Sequence, residues 1–388
     1  MLRTLNLRNV GPSNELAIEF GDRLNVIIGD SGLGKSFLLD VAWWALTRSW
    51  AASQALPNKG AEREATLGYR IGGNTAPVEA EIDFNVKRQG WFHGSGRPPI
   101  GGLVVYARVD GSFAVMDPAR NEPPDDDGAG APASRRRPAA FFFNSDQVWG
   151  GLTNDGQRLC NGLIADWRVW QLENSDEFKA LENMLSVLSP EPGEPLQPGE
   201  PRRIDLLDSR DIPTLRMPYG EVPVTLLSAG VRRILALSYL LVWAWHEHRK
   251  ASELRGDPPS DRVTVLIDDV EAHLDSRRQR AILPAILKAL QGLGASADSQ
   301  VISTTHSPLV LASLEGLWEE KHDRLFKLDL VSSNESAARL SRHLSRQSGE
   351  INGGITPRSI SIFSLTRARA REACAISHQP TRGFWYDR

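Results

Sequence analysis

The sequence predicts an α/β fold, with strands enclosed by helices, and three observations predict it. Leu24–Ile28 and Val263–Ile267 are short runs of almost wholly apolar residues, the pattern of strands covered on both faces. Each runs into a turn rich in glycine or carboxylate, and the first turn opens an apolar helical stretch, Lys35–Trp44. A third segment, Ile234–Trp245, is strongly apolar, as expected of a buried helix, and falls short of the roughly 20 residues a membrane span needs.

At 388 residues the chain suits one large α/β domain carrying an insertion. Its 41% hydrophobic and 24% charged residues are those of an ordinary globular protein. A formal net charge of −3 gives no global attraction to nucleic acid or anionic membrane, so any such contact has to come from a local patch. Cys160 and Cys374 lack metal or redox spacing, which suits a reducing compartment. The first eight residues are polar at alternate positions and hold no signal-peptide core. A cytoplasmic protein with no membrane association is expected.

Leu2–Asn9 and Glu15–Phe20 read as strands ahead of Leu24–Ile28, the second by the alternation of Leu16, Ile18 and Phe20 with Ala17 and Glu19. These residues, 1–69, form the first part of the core. An inserted arm is expected over 70–203, with strands Val78–Val86, Leu103–Val109, Ser112–Met116 and Phe141–Phe143, then a helical region Asp155–Leu188. Pro118–Pro138, with Asp125–Asp127 against Arg135–Arg137, reads as a surface loop, and Pro190–Pro201 as a linker. The core resumes over 204–331. The tail, 332–388, is rich in Ser and Arg, lacks Lys and shows little periodicity, so it is expected to be loosely folded or peripheral.

Gly29-Asp30-Ser31-Gly32-Leu33-Gly34-Lys35-Ser36 satisfies the phosphate-loop pattern G-x-x-x-x-G-K-[ST] in full, in the strand–loop–helix setting the motif needs. Glycines let the backbone wrap phosphates closely, and the helix start through Phe37 turns amides and a positive dipole toward them. Lys35 is placed to reach the β- and γ-phosphates and Ser36 to ligate Mg²⁺, so ATP and Mg²⁺ are the expected cofactors.

Val263–Ile267 ends in two carboxylates. Asp268 is placed to hold Mg²⁺, directly or through water, and Asp269 to orient an attacking water. Leu227-Ser228-Ala229-Gly230-Val231-Arg232-Arg233 precedes the apolar helix, with Ser228 reading as an N-cap ahead of free amides. Gln300–Thr305 is another buried strand and leads to His306; a lone histidine at such a turn is more often a structural hydrogen-bonder than a catalyst.

In order and wording these four pieces resemble the ABC-type ATPases of the SMC, OLD and related AAA-annotated group. The resemblance covers about 1–50 and 204–330, and the run Asp268-Asp269-Val270-Glu271-Ala272-His273-Leu274 is similar to the group's D-E-P-E-A-H-L segment. It implies an ABC-type P-loop head, a mixed central sheet flanked by helices, and a head-to-tail homodimer or higher homo-oligomer with ATP between subunits. It implies that Ser228 and Gly230 are the signature residues acting on the partner's nucleotide. By the same resemblance Asp268 is the Walker B aspartate, Asp275 the D-loop aspartate and His306 the switch histidine. Lys35, Asp269 and His306 are then the catalytic set. Gln147, after Phe141–Phe143, is the candidate for the glutamine loop and a further Mg²⁺ ligand.

Two residues depart from the group: Asp269 stands where glutamate is usual, one methylene shorter, and Val270 where proline is usual. Slow hydrolysis or an ATP-locked dimer is the expected consequence. Three roles compete. The arm and the Ile212–Gly220 approach resemble the PtuA ATPase of Septu-type antiviral defence, which implies a separately encoded HNH-type nuclease as effector. An SMC-like repair or maintenance ATPase is the second, although no long heptad segment is present to form a coiled-coil arm. A non-hydrolysing, ATP-set scaffold is the third. No D-x-D cluster follows the core, so nuclease chemistry is expected on another polypeptide. DNA contact through Arg135–Arg137, Arg202, Arg203, Arg367, Arg369 or Arg371 competes with the plainer reading of solvated arginines, and the paired tryptophans read as core.

Overall fold

The computed structural model describes residues 1–72, 77–93, 102–122, 137–189, 196–293, 299–332 and 358–365. The chain opens with β1 (Leu2–Val10), β2 (Ser13–Glu19) and β3 (Leu24–Ile28), which leads through the glycine turn into α1 (Lys35–Thr47). β4 (Thr66–Ile71), β5 (Val78–Asn85) and β6 (Gly90–Trp91) return to β1 and complete an antiparallel sheet of order β2-β1-β4-β5-β6. β7 (Leu103–Ala107), β8 (Phe113–Met116) and β9 (Phe141–Phe143) follow, then α2 (Ser145–Gly150) and a hairpin of β10 (Leu152–Asn154) and β11 (Gln157–Cys160). Next come α3 (Leu163–Glu173), α4 (Asp176–Val187) and a small sheet of β12 (Gln197–Pro198), β13 (Thr214–Met217) and β14 (Gly220–Pro223). The long helix α5 (Ala229–Arg255) precedes β15 (Val263–Ile267), α6 (Ser276–Gly292), β16 (Gln300–Thr305), α7 (Pro308–Ala312), β17 (Arg324–Ser332) and β18 (Arg358–Leu365).

The central sheet runs β18-β17-β3-β16-β15-β7-β8-β9. Its five inner strands, β17 to β7, are parallel, and antiparallel strands close both sides, so the sheet is mixed. Period-2 alternation sorts its side chains between two cores. Leu24, Val26, Val105, Val265 and Val301 face a layer of helices built from α2 to α6, while Ile27, Tyr106, Leu266 and Ile302 face α1 and the antiparallel sheet. Both faces are covered, which is why β3, β7 and β15 are almost wholly apolar, with Asn25 and Thr264 as buried exceptions. Gln300, fully buried, ties the two sheets together. Its amide accepts from Leu2 N (3.0 Å) and donates to the carbonyls of Leu2 (2.9 Å) and Gly21 (2.8 Å).

The expected arm is not set apart from the core. β4 to β6 extend the antiparallel sheet, and β7 pairs in parallel with β15 from Val263↔Leu103 to Ile267↔Ala107. That partner lies far along the chain, so local pattern could not place β7 in the central sheet. Residues 152–160 form a hairpin rather than the start of a helix, because Asp155 and Gly156 both adopt positive φ (47° and 79°) and turn the chain back. Gln197 and Pro198 of the expected linker pair with β13. In the tail, 358–365 pairs antiparallel with β17 and is part of the sheet; the rest of the expected tail lies outside the described residues. No helix among the described residues is long and apolar enough to cross a membrane.

The tryptophans are core: Trp43, Trp44, Trp167, Trp170, Trp243 and Trp245 are all buried. Cys160 is buried too, its sulfur 3.0 Å from the hydroxyl of Tyr239, which donates to Asp166 at 2.7 Å. Burial pushes the Cys160 thiol up to about 12, so it is held as an inert thiol.

Candidate functional site

Parallel strands bring their C-terminal ends to one edge, and the chemistry gathers there. β3 ends at the phosphate loop, β15 at Asp268, β16 at His306 and β7 at Arg108. The loop needs its glycines. Gly32 and Gly34 adopt φ of 83° and 87°, and a Cβ on Gly34 would meet Pro12 at 2.8 Å. Lys35 opens α1 with its stem buried, and its ammonium donates to the carbonyls of Gly29 (2.9 Å) and Asp30 (3.1 Å), tying the loop together. Asp30, Ser31, Gly32 and Ser36 are exposed, Leu33 is buried against the core, and Phe37 packs at Gly11.

Asp268 is 2% exposed and accepts from Thr304 Oγ1 at 2.8 Å. The same hydroxyl oxygen accepts from the amide of Asp269 at 2.8 Å, so Thr304 sets the turn that carries both carboxylates. Asp269 sits at φ 43°, in the left-handed region, and its Oδ1 is buried with no hydrogen-bond partner. His306 is half exposed; its Nδ1 lies 2.9 Å from Glu271 Oε1 and 3.6 Å from Asp269 Oδ1, and its amide donates to Glu271 Oε1 at 2.7 Å. A hydroxyl at Ser36 and a carboxylate at Asp268 form the hard-oxygen donor set that Mg²⁺ prefers, and they fit the expected ion.

Two groups brace this edge. Arg233, in the first turns of α5, donates to the carbonyls of Asp268 (2.6 Å), Asp269 (3.3 Å), Arg108 (3.3 Å) and Val109 (3.0 Å). Burial lowers its pKa, offset in part by Asp268, Asp269 and Glu271. On the α1 side, Tyr106 donates to Asp40 at 3.1 Å, and burial raises the Asp40 pKa, with Arg108 opposing and Asp268 adding to the rise.

The structure brings Asp269 and His306 together and seats Asp268 beside them on a shared threonine. It does not bring Ser228 into that group: Ser228 is exposed and caps α5, accepting from Val231 N at 3.5 Å. Gly230 lies against the turn after β15, where a Cβ would stand 2.4 Å from the His273 carbonyl. Asp275 is an exposed N-cap on α6, accepting from the amides of Arg277 and Arg278 at 3.0 Å and pairing with the Arg278 side chain. The Gln147 oxygen accepts from the Asn144 amide at 2.9 Å in a capping box on α2. Arg202 and Arg203 donate to the carbonyls of Glu221 and Ser209, which leaves them structural partners; Arg135, Arg136 and the tail arginines lie outside the described residues.

Two AAA-domain family models match the chain. One, described as AAA domain, covers 4–117, and the other, described as AAA domain, putative AbiEii toxin, Type IV TA system, covers 157–312. Together they take in the phosphate loop, both carboxylates and His306. Each covers less than half of the chain, and what they share with it is the α/β P-loop ATPase fold. Among solved structures, this ATPase fold is similar to the SMC head domain from Thermotoga maritima, at 16% identity and a TM-score of 0.40 over 85% of this chain and 95% of that one. An SMC head bound to the C-winged helix domain of ScpA gives 14% identity and 0.46 over 96% and 99%. The recombination mediator RecF gives 15% and 0.39 over 84% and 95%. No curated protein matches this sequence.

Sequence reasoning left Thr304, Arg233 and Glu271 without a role in the site. Thr304 had a signal, three consecutive hydroxyl residues (Ser303, Thr304, Thr305) closing a buried strand, all fully buried themselves. Arg233 had none beyond its place after the apparent N-cap, because its four acceptors come from two strands remote in sequence.

Proposed function

We propose that the chain is a Mg²⁺-dependent ATPase whose copies close head to tail over two ATP molecules and hydrolyse them slowly. One observation carries this reading. Asp268, Asp269 and His306 stand at the ends of adjacent parallel strands, Lys35 opens α1 across the glycine turn from the neighbouring β3, and Ser228 is exposed at a separate helix cap. In the cycle Lys35 and Ser36 hold the phosphates and Mg²⁺, and Asp269 and His306 position water against the γ-phosphate. Hydrolysis then loosens the contact made by the partner copy's signature turn.

Asp269 supports slow turnover, since its carboxylate is one methylene shorter than glutamate and sits on a backbone already held by Thr304. Asp269→Glu is expected to raise ATP turnover by about tenfold or more, within the range that a well-placed general base supplies. Unchanged or lower turnover, read together with oligomeric mass, would instead favour a scaffold that ATP locks without hydrolysis. Ser228→Arg is expected to keep ATP binding but lose the ATP-dependent rise in mass by light scattering. An ATP-induced dimer in that variant would refute the composite site.

The effector reading is the finer one: the cycle regulates a separately encoded HNH-type nuclease in prokaryotic antiviral defence. It is supported by the resemblance of the 212–220 approach. Co-purification with the product of an adjacent nuclease gene, dependent on ATP, is the test.

A further inference from the structure

Glu271 takes no part in the nucleotide chemistry above, yet it is only 4% exposed. Its Oε1 meets the amide and Nδ1 of His306, while its Oε2 is buried with no hydrogen-bond partner. Asp269 Oδ1 is a second buried oxygen without a hydrogen bond, 3.6 Å from the same Nδ1. One ligand atom each from Asp269, Glu271 and His306 lies within 4.8 Å of the other two. A plain Glu–His hydrogen bond explains the 2.9 Å contact but leaves both orphan oxygens unexplained.

We propose that Asp269, Glu271 and His306 form a site for a divalent transition-metal ion, Zn²⁺ by ligand chemistry, separate from the Mg²⁺ assigned to Ser36 and Asp268. Zn²⁺ accepts both imidazole nitrogen and carboxylate oxygen, and three protein ligands leave it a fourth position for water or a substrate oxygen. Ligands about 2.0–2.1 Å from a tetrahedral ion stand roughly 3.3 Å apart. The separations of 2.9 and 3.6 Å straddle that spacing. Mg²⁺ takes oxygen ligands in near-ideal octahedral geometry, so the imidazole selects against it. His306, 54% exposed, leaves the ion a way in from solvent, while Glu271 anchors it from beneath. Metal binding needs no nucleotide. Its consequence, that Zn²⁺ stops turnover by engaging Asp269 and His306, rests on the ATPase reading.

The experiment is Zn²⁺ and Co²⁺ binding to the nucleotide-free full chain, followed by competition with a chromophoric chelator and by Co²⁺ visible absorption. Wild type is expected to bind one ion that His306→Ala and Glu271→Gln lose or bind about 10- to 100-fold more weakly, at least the cost of losing an outer partner of a metal ligand. His306→Ala alters an exposed side chain, and its circular dichroism should match wild type, so a folding defect in Glu271→Gln cannot decide the result. Lys35→Ala should keep the ion, which separates failure of this site from failure of the nucleotide site. Equal stoichiometry and affinity in wild type, His306→Ala and Glu271→Gln, with an unchanged Co²⁺ spectrum, would overturn the proposal.

Discussion

Lys35→Ala is expected to lower ATP affinity by about 100-fold in equilibrium dialysis or calorimetry while leaving the fold intact. The size follows from the bonds at stake. An ammonium meeting two phosphates makes charge-assisted hydrogen bonds of about 1.5–3 kcal/mol each, and about 2.7 kcal/mol corresponds to 100-fold. In the free protein the same ammonium donates to the carbonyls of Gly29 and Asp30, both at the solvent edge of the loop. Water can replace it there, so the stability cost is small. Undiminished ATP binding in this variant would remove the phosphate loop from the mechanism altogether.

Arg233→Ala is expected to cost about 3 kcal/mol of folding stability and nearly all ATP turnover, with ATP binding largely kept. The guanidinium joins four carbonyls from two turns, two after β7 and two at Asp268 and Asp269. Removing it takes away the side-chain donor to the Val109 and Asp268 carbonyls, while those of Arg108 and Asp269 keep the amides of Gly111 and Ala272; an acceptor left unpaired where water cannot reach costs about 1–3 kcal/mol. It also frees the turn that aims both carboxylates. Lysine cannot span the four acceptors with one ammonium, so Arg233→Lys should rescue little of the turnover. Denaturant unfolding and steady-state turnover read the two effects separately. Full turnover in Arg233→Ala would show that Thr304 alone holds the carboxylates in place.

The same residue shows where sequence reasoning stops. Lys35, Ser36, Asp268 and His306 could be singled out because Asp268 and His306 come directly after buried strands and Lys35 and Ser36 close a glycine turn that follows one. Arg233 could not, because a helical arginine behind a serine cap looks the same whether it meets water or four carbonyls. Gln147 reads two ways for a related reason: glutamine three residues after asparagine is also a capping box, and here the box forms. Glu271 was visible as a letter in a segment, but not as a carboxylate enclosed beneath a histidine.

What the sequence determined by itself is the set of buried strands, the phosphate loop and the carboxylate pair, because these depend on local pattern: an apolar run, a glycine where φ is positive, a helix start. What the tertiary structure decided is which strands are neighbours. β7 lies beside β15, and that parallel pairing over a long separation turns an expected arm into the wall of the site. It likewise sets β16 against β15, so that one threonine hydroxyl serves both Asp268 and Asp269. Parallel pairing leaves no mark in adjacent residues, since its two strands are joined only through a distant crossover, and the hydrogen bonds that build the site cross those joints.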